Sequence, residues 1–102
     1  MVKIINGKKY NTETAELIAN YCNELSYSDF RRVDESLYKK KTGEFFLYGK
    51  GGALTRYAER NGDGSCSAGE KIIPLTIEDA MEWCEYYVCV EIYEELFGEV
   101  EE

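Results

Sequence analysis

Four thiols and no imidazole set the chemistry open to this 102-residue chain. Without histidine, neither a Ser-His nor a Cys-His nucleophile pair can form, and the commonest general base is missing. The thiols are Cys22, Cys66, Cys84 and Cys89, separated by 43, 17 and 4 residues. Structural zinc takes four thiolates in a tetrahedron, usually from two short Cys-x2–4-Cys knuckles, and such knuckles are absent here. Placement argues for the metal more than spacing does. Cys66 lies in a Gly/Ser loop, Cys22 and Cys84 fall on the inward stripes of expected helices, and Cys89 sits at an expected helix break. One loop, two helices and a kink could meet at a single structural zinc ion. The competing reading makes Cys22 and Cys84 small core residues and Cys66 a surface thiol. A disulfide is the weaker expectation for a chain read as resident in a reducing compartment. An activated Cys66 thiol would be the one route to enzymatic chemistry.

Carboxylates form the second set. From Leu75 onward there are ten acids, Glu78, Asp79, Glu82, Glu85, Glu91, Glu94, Glu95, Glu99, Glu101 and Glu102, and no lysine or arginine. Met1 to Pro74 holds ten acids against twelve bases, so the net charge of −8 is local to the last quarter. Acids near a helix C-terminus oppose the macrodipole, and a cluster kept against that cost points to a basic partner. Trp83, Tyr86, Tyr87, Tyr93 and Phe97 interleave with these charges, a composition typical of protein-binding surfaces. No nucleophile or desolvating pocket is signalled beside the acids, and the chain reads as a non-enzyme.

Three further motifs fail on inspection. Asn61-Gly62-Asp63-Gly64-Ser65 starts like a calcium loop, but Cys66 and Ile72 occupy the positions that need glycine and glutamate. Gly49-Lys50-Gly51-Gly52 lacks the spacing of a phosphate-binding loop and reads as a hairpin exit or a mobile loop. Arg31, Arg32, Lys39, Lys40 and Lys41 could touch nucleic acid, but the overall negative charge opposes direct binding; the competing reading is a positive patch that pairs with the acidic helices, within the chain or in a dimer.

The elements that must position these groups follow from periodicity and turn signals. Residues 3–5 read as a short strand closed by Asn6-Gly7. Ala15, Ile18, Cys22 and Leu25 recur at three- and four-residue spacings, which predicts a helix over about 12–25. Residues 35–48 predict a hairpin turning at Lys41-Thr42-Gly43, and 70–74 a further strand with Pro74 at an edge or end. Residues 54–59 are open between a strand and one helical turn. Thr76 with Asp79 resembles a capping box and starts acidic helices over about 77–97, with Ile77, Met81, Cys84 and Val88 inward, a break near Val88-Cys89-Val90 and a stop at Gly98. The expected architecture is α+β: a small antiparallel sheet preceded by one helix and followed by acidic helices, in a single domain over 1–102.

No apolar run approaches the ~18 residues of a membrane span, and no apolar signal region follows Met1, so a soluble, cytoplasmic protein is expected. Three stretches carry a likeness to known proteins. They are Ile4-Ile5-Asn6-Gly7-Lys8-Lys9-Tyr10 with Thr12-Glu13-Thr14-Ala15; Leu37-Tyr38 through Thr42-Gly43 to Phe46-Leu47-Tyr48-Gly49 and Gly51-Gly52; and Ile72-Ile73-Pro74-Leu75 leading to Ala80 and Trp83, with Tyr93 and Leu96-Phe97-Gly98 at the end. In these the chain resembles a family of small acidic proteins carried by phages and integrative elements of Gram-positive bacteria. Some proteins of that setting are anti-CRISPR inhibitors of type II effector nucleases. The resemblance implies a Cas9 inhibitor acting in the bacterial host cell, by blocking loading of guide or target nucleic acid; the cysteines are no part of it. The residues expected to meet the partner's basic surface are Glu78, Asp79, Glu82, Glu85, Tyr86, Glu91, Glu94 and Glu95. The alternative is a zinc-stapled structural or adaptor module of a mobile element, with a partner other than a nuclease.

Overall fold

The computed structural model describes residues 1–26 and 28–101. It is mostly sheet, with 40% of residues in strands and 19% in helices. Ten elements follow one another: β1 (Val2–Ile5), β2 (Lys8–Asn11), β3 (Glu16–Cys22), β4 (Val33–Lys39), β5 (Phe45–Gly51), β6 (Glu59–Arg60), β7 (Cys66–Ser67), β8 (Gly69–Leu75), α1 (Ile77–Tyr87) and α2 (Val90–Phe97). The main sheet is antiparallel in the order β3-β4-β5-β8. No helix among the described residues is long and apolar enough to cross a membrane.

The expected N-terminal helix over 12–25 is not formed; that segment is a turn followed by β3 at the edge of the main sheet. The three- and four-residue spacing of its apolar residues coexists with alternation, because Ala19 and Tyr21 also recur at a spacing of two. Pairing with β4 decides the matter. A bulge between Leu17 and Ala19 takes in Ile18, so that Ile18, Ala19 and Tyr21 all pack on the core beneath α1. Asn20 secures the register from the opposite side, donating to Asp34 at 2.7 Å, the Glu35 carbonyl at 3.1 Å and Ser36 at 2.9 Å. One further expectation changes. The strand near 3–5 belongs to its own two-stranded sheet, β1-β2, joined by Asn6 and Gly7 at φ 52° and 77°. Residues 54–58, left open between a strand and a helical turn, form successive turns leading into β6, with Thr55 N–H bonded to the Gly52 carbonyl and Ala58 N–H to that of Thr55.

The sheet separates two apolar layers. On one face Leu37, Phe45 and Leu47 meet Ala80, Trp83 and Cys84 of α1, with Phe97 of α2 against Phe45 at 5.6 Å between ring centroids. On the other, Phe46 and Ile72 are covered by Tyr10 of the β1-β2 hairpin, whose ring meets Phe46 edge-on at 5.4 Å. Helix α1 starts where the sequence says it should. Thr76 accepts from the Asp79 N–H at 3.1 Å, and the Asp79 carboxylate accepts from the Thr76 N–H at 3.4 Å. Its inward stripe is Ala80, Trp83 and Cys84, whereas Ile77, expected inward, is 56% exposed.

Gly49 and Gly51 are not a mobile loop but the buried end of β5. Their missing side chains make room for the 52–58 segment to lie on the sheet. A Cβ on Gly49 would strike the Tyr57 ring, and one on Gly51 would strike Thr55. Tyr57 is fully buried there, and its hydroxyl donates to Glu35 of β4. Glu35, only 5% exposed, also accepts from Arg56 at 2.6 Å and from the Trp83 indole N–H at 3.2 Å. Burial, and then the Glu35 carboxylate, hold the Tyr57 phenol well above its ordinary range. No buried side-chain polar atom among the described residues lacks a partner.

Removing the common acceptor tests this arrangement. In Glu35→Ala the Tyr57 hydroxyl and Trp83 indole stay buried without an acceptor, so the folded state should lose about 3 kcal/mol. Urea unfolding should show a lower midpoint, with a smaller loss for Glu35→Gln, which keeps the shape and an acceptor oxygen. An unchanged midpoint in Glu35→Ala would contradict the assignment.

Candidate functional site

Helix α1 gathers most of the sequence-predicted binding residues. With Ala80, Trp83 and Cys84 turned inward, Glu78, Glu82 and Glu85 fall at spacings of four and three on the solvent side, flanked by Asp79 and Tyr86. The remaining three lie on α2, where Glu91 and Glu95 are exposed and Glu94 is half-buried, accepting the Val100 N–H at 3.1 Å. Glu85 and Glu94 share a shallow groove between the two helices. Glu102, last of the ten acids, lies outside the described residues.

The break at Val88 changes the electrostatics expected of one long acidic helix. Two helices supply two N-termini, and Glu78 and Asp79 occupy the first turn of α1 while Glu91 occupies that of α2. All three acids sit where the macrodipole favours negative charge. The Glu91 backbone N–H, and then the Cys89 thiol, hold the Glu91 carboxyl below its usual range. Among the described residues every ion pair lies between Lys8 and Arg56. No ion pair among the described residues joins an acid of α1 or α2 to a cation.

Beside the acidic face lies a cleft of about 700 Å³ between α1 and the 52–58 segment, floored by the sheet. Asp79, Glu82 and Tyr86 stand on its helix wall, and Leu54, Arg56 and Tyr57 on the other. Tyr86 is 76% exposed. Its ring lies 6.0 Å from that of Tyr87, which is 5.0 Å from Trp83 and stacked at 4.0 Å on Tyr21. Four aromatic rings thus run from solvent to the sheet. Sequence reasoning missed the wall formed by Leu54, Arg56 and Tyr57, and it missed Glu35. The available signal was phase: Glu35 shares the inward face of β4 with Leu37, so an acid there requires buried donors.

The cysteines are placed apart. Cys84 is in the core layer, Cys22 ends β3 on the sheet face away from α1, Cys66 lies on the exposed β6-β7 hairpin, and Cys89 is the exposed residue preceding α2. No group of three or more Cys, Asp or Glu residues that could hold a metal occurs among the described residues. The interior position of Cys84 pushes its thiol up to about 11.

No protein-family model, curated protein or solved structure matches the chain.

Thiol reactivity reads the placement directly. Iodoacetamide at about pH 8, followed by mass spectrometry, should modify Cys66 and Cys89 first and Cys22 more slowly, its sulfur being half-buried and accepting the Glu24 N–H at 3.4 Å. Cys84 should react only on unfolding. Four thiols protected together and released together by a chelator would contradict this and restore the zinc centre.

Proposed function

We propose that the protein is a non-enzymatic inhibitor that sets the acidic face of α1 on a basic, nucleic-acid-handling surface of a protein partner. The observation that carries this reading is the stripe of Glu78, Glu82 and Glu85, exposed on one side of a firmly packed helix and in no ion pair among the described residues. Carboxylates on a rigid helix cost less to desolvate against fixed cations than carboxylates on a loop, because their geometry is preorganised. The sequence resemblance favours a Cas9-type effector in a bacterial host cell as the partner. The long positive channels of such effectors, made for nucleic-acid backbones, complement this face, and its occupation would block guide or target loading. The zinc-stapled adaptor receives no support from the separated cysteines.

Electrostatic docking should be fast and salt-sensitive. Between about 0.1 M and about 1 M salt the Debye length falls from ~10 Å to ~3 Å, and complex formation should weaken steeply over that range. The test is gel filtration and DNA cleavage with a purified Cas9-type effector, the protein being added before or after guide RNA. Co-elution and lost cleavage are expected. The triple variant Glu78→Lys, Glu82→Lys and Glu85→Lys should lose at least about a hundredfold in affinity. Its fold should persist, because the dipole penalty at Glu78 is offset near the helix end at Glu85, each about 0.5 kcal/mol. No complex, or a triple variant that inhibits as well as the parent, would overturn the proposal.

A further inference from the structure

The geometry points to a specific anchor within that face: the cleft between α1 and the 52–58 segment receives one arginine side chain of the protein partner, stacked on Tyr86 and paired with Glu82. This inference rests on the acidic-face reading and narrows it to a single recognised group.

Charge decides the occupant. Two arginines already line the cleft, and both are engaged. Arg31 donates to Asp29 from Nε at 3.2 Å and from a terminal nitrogen at 3.1 Å, and Arg56 pairs with Glu35 at 2.6 Å. Among the described residues, the lining carboxylates in no ion pair are Asp79 and Glu82. Asp79 is partly spent on the helix cap through the Thr76 N–H. The Glu82 side chain makes no hydrogen bond among the described residues and stands one helical turn before Tyr86, on the same side of α1. A ligand filling the space must therefore bring positive charge.

The rings decide which cation. An ammonium group could pair with Glu82, but it presents no flat face to the exposed Tyr86 ring. A guanidinium is planar, stacks on an aromatic face and donates in a fork that matches a carboxylate. Both walls are held in advance of binding, since Trp83 of α1 and Tyr57 of the opposite wall donate to the same Glu35 carboxylate. The side chain would enter a preformed slot, without ordering a loop to do so.

The ¹⁵N-labelled full chain should be titrated with a blocked glycine-serine peptide carrying one central arginine, and with lysine and citrulline versions of it. The arginine peptide should shift the Trp83 indole and the amides of Leu54, Tyr86 and Tyr87. It should bind several-fold more tightly than the lysine peptide, with the citrulline peptide inert. Tyr86→Ala and Glu82→Gln, both at exposed positions that the core does not use, should each weaken binding by about fivefold. Equal arginine and lysine binding, with shifts spread over Glu78 to Glu95, would overturn the anchor and leave the acidic-face reading standing. No shift with any cationic peptide would overturn both. Citrulline binding as well as arginine would overturn the charge argument. Broadening of α1 signals with protein concentration alone would assign the cleft to a second copy of the chain and equally overturn the anchor.

Discussion

Glu35 projects from β4 into the apolar layer, and donors from two other segments converge on its carboxylate: Tyr57 and Arg56 from the 52–58 segment, and Trp83 from α1. A charge in that position is tolerated only when fully hydrogen-bonded, so the three segments can pack in few relative arrangements. Much else depends on this. Gly49 and Gly51 must lack side chains so that Tyr57 can reach Glu35 across the sheet. Trp83 must face inward, which turns Glu78, Glu82 and Glu85 outward. The cleft exists because its two walls are tied to one carboxylate with space left between them.

The sheet also separates the charge. Lys3, Lys8 and Lys9 belong to the β1-β2 hairpin, which covers the Phe46 and Ile72 face, and Lys8 pairs with Glu44 beside the β4-β5 turn. Lys40 lies over the Tyr10 ring at 3.6 Å. The helices and their acids cover the opposite face. A chain with its cations among those acids would neutralise the helical face internally. Here the lysines of the hairpin are divided from the helical acids by the thickness of the sheet, and the two arginines on the helix side, Arg31 and Arg56, pair with Asp29 and Glu35 rather than with those acids.

Much of this was legible from residues alone. The hairpin that became β4 and β5 is marked by its turn residues and aromatic strands, β8 by its β-branched run, and the start of α1 by Thr76 and Asp79. The N-terminal segment misleads because Ala15, Ile18 and Cys22 fit a helix while Ala19 and Tyr21 fit a strand, and an edge pairing settles between them. The bulge that brings Ile18 and Ala19 onto one layer has no local signature. The acidic side of α1 could be read from spacing, but the cleft beside it could not. That cleft requires contacts between residues separated by 22 and 48 positions, Tyr57 and Trp83 with Glu35.

The most direct test of the account is hydrogen exchange on the protein bound to a guide-free Cas9-type effector, compared with the free protein. The account predicts slowed exchange in 77–87 and in 54–57, with the β1-β2 hairpin unchanged. Protection of the β1-β2 hairpin with α1 unaffected would contradict it, because the partner would then be meeting the face of the sheet that carries no acidic helix.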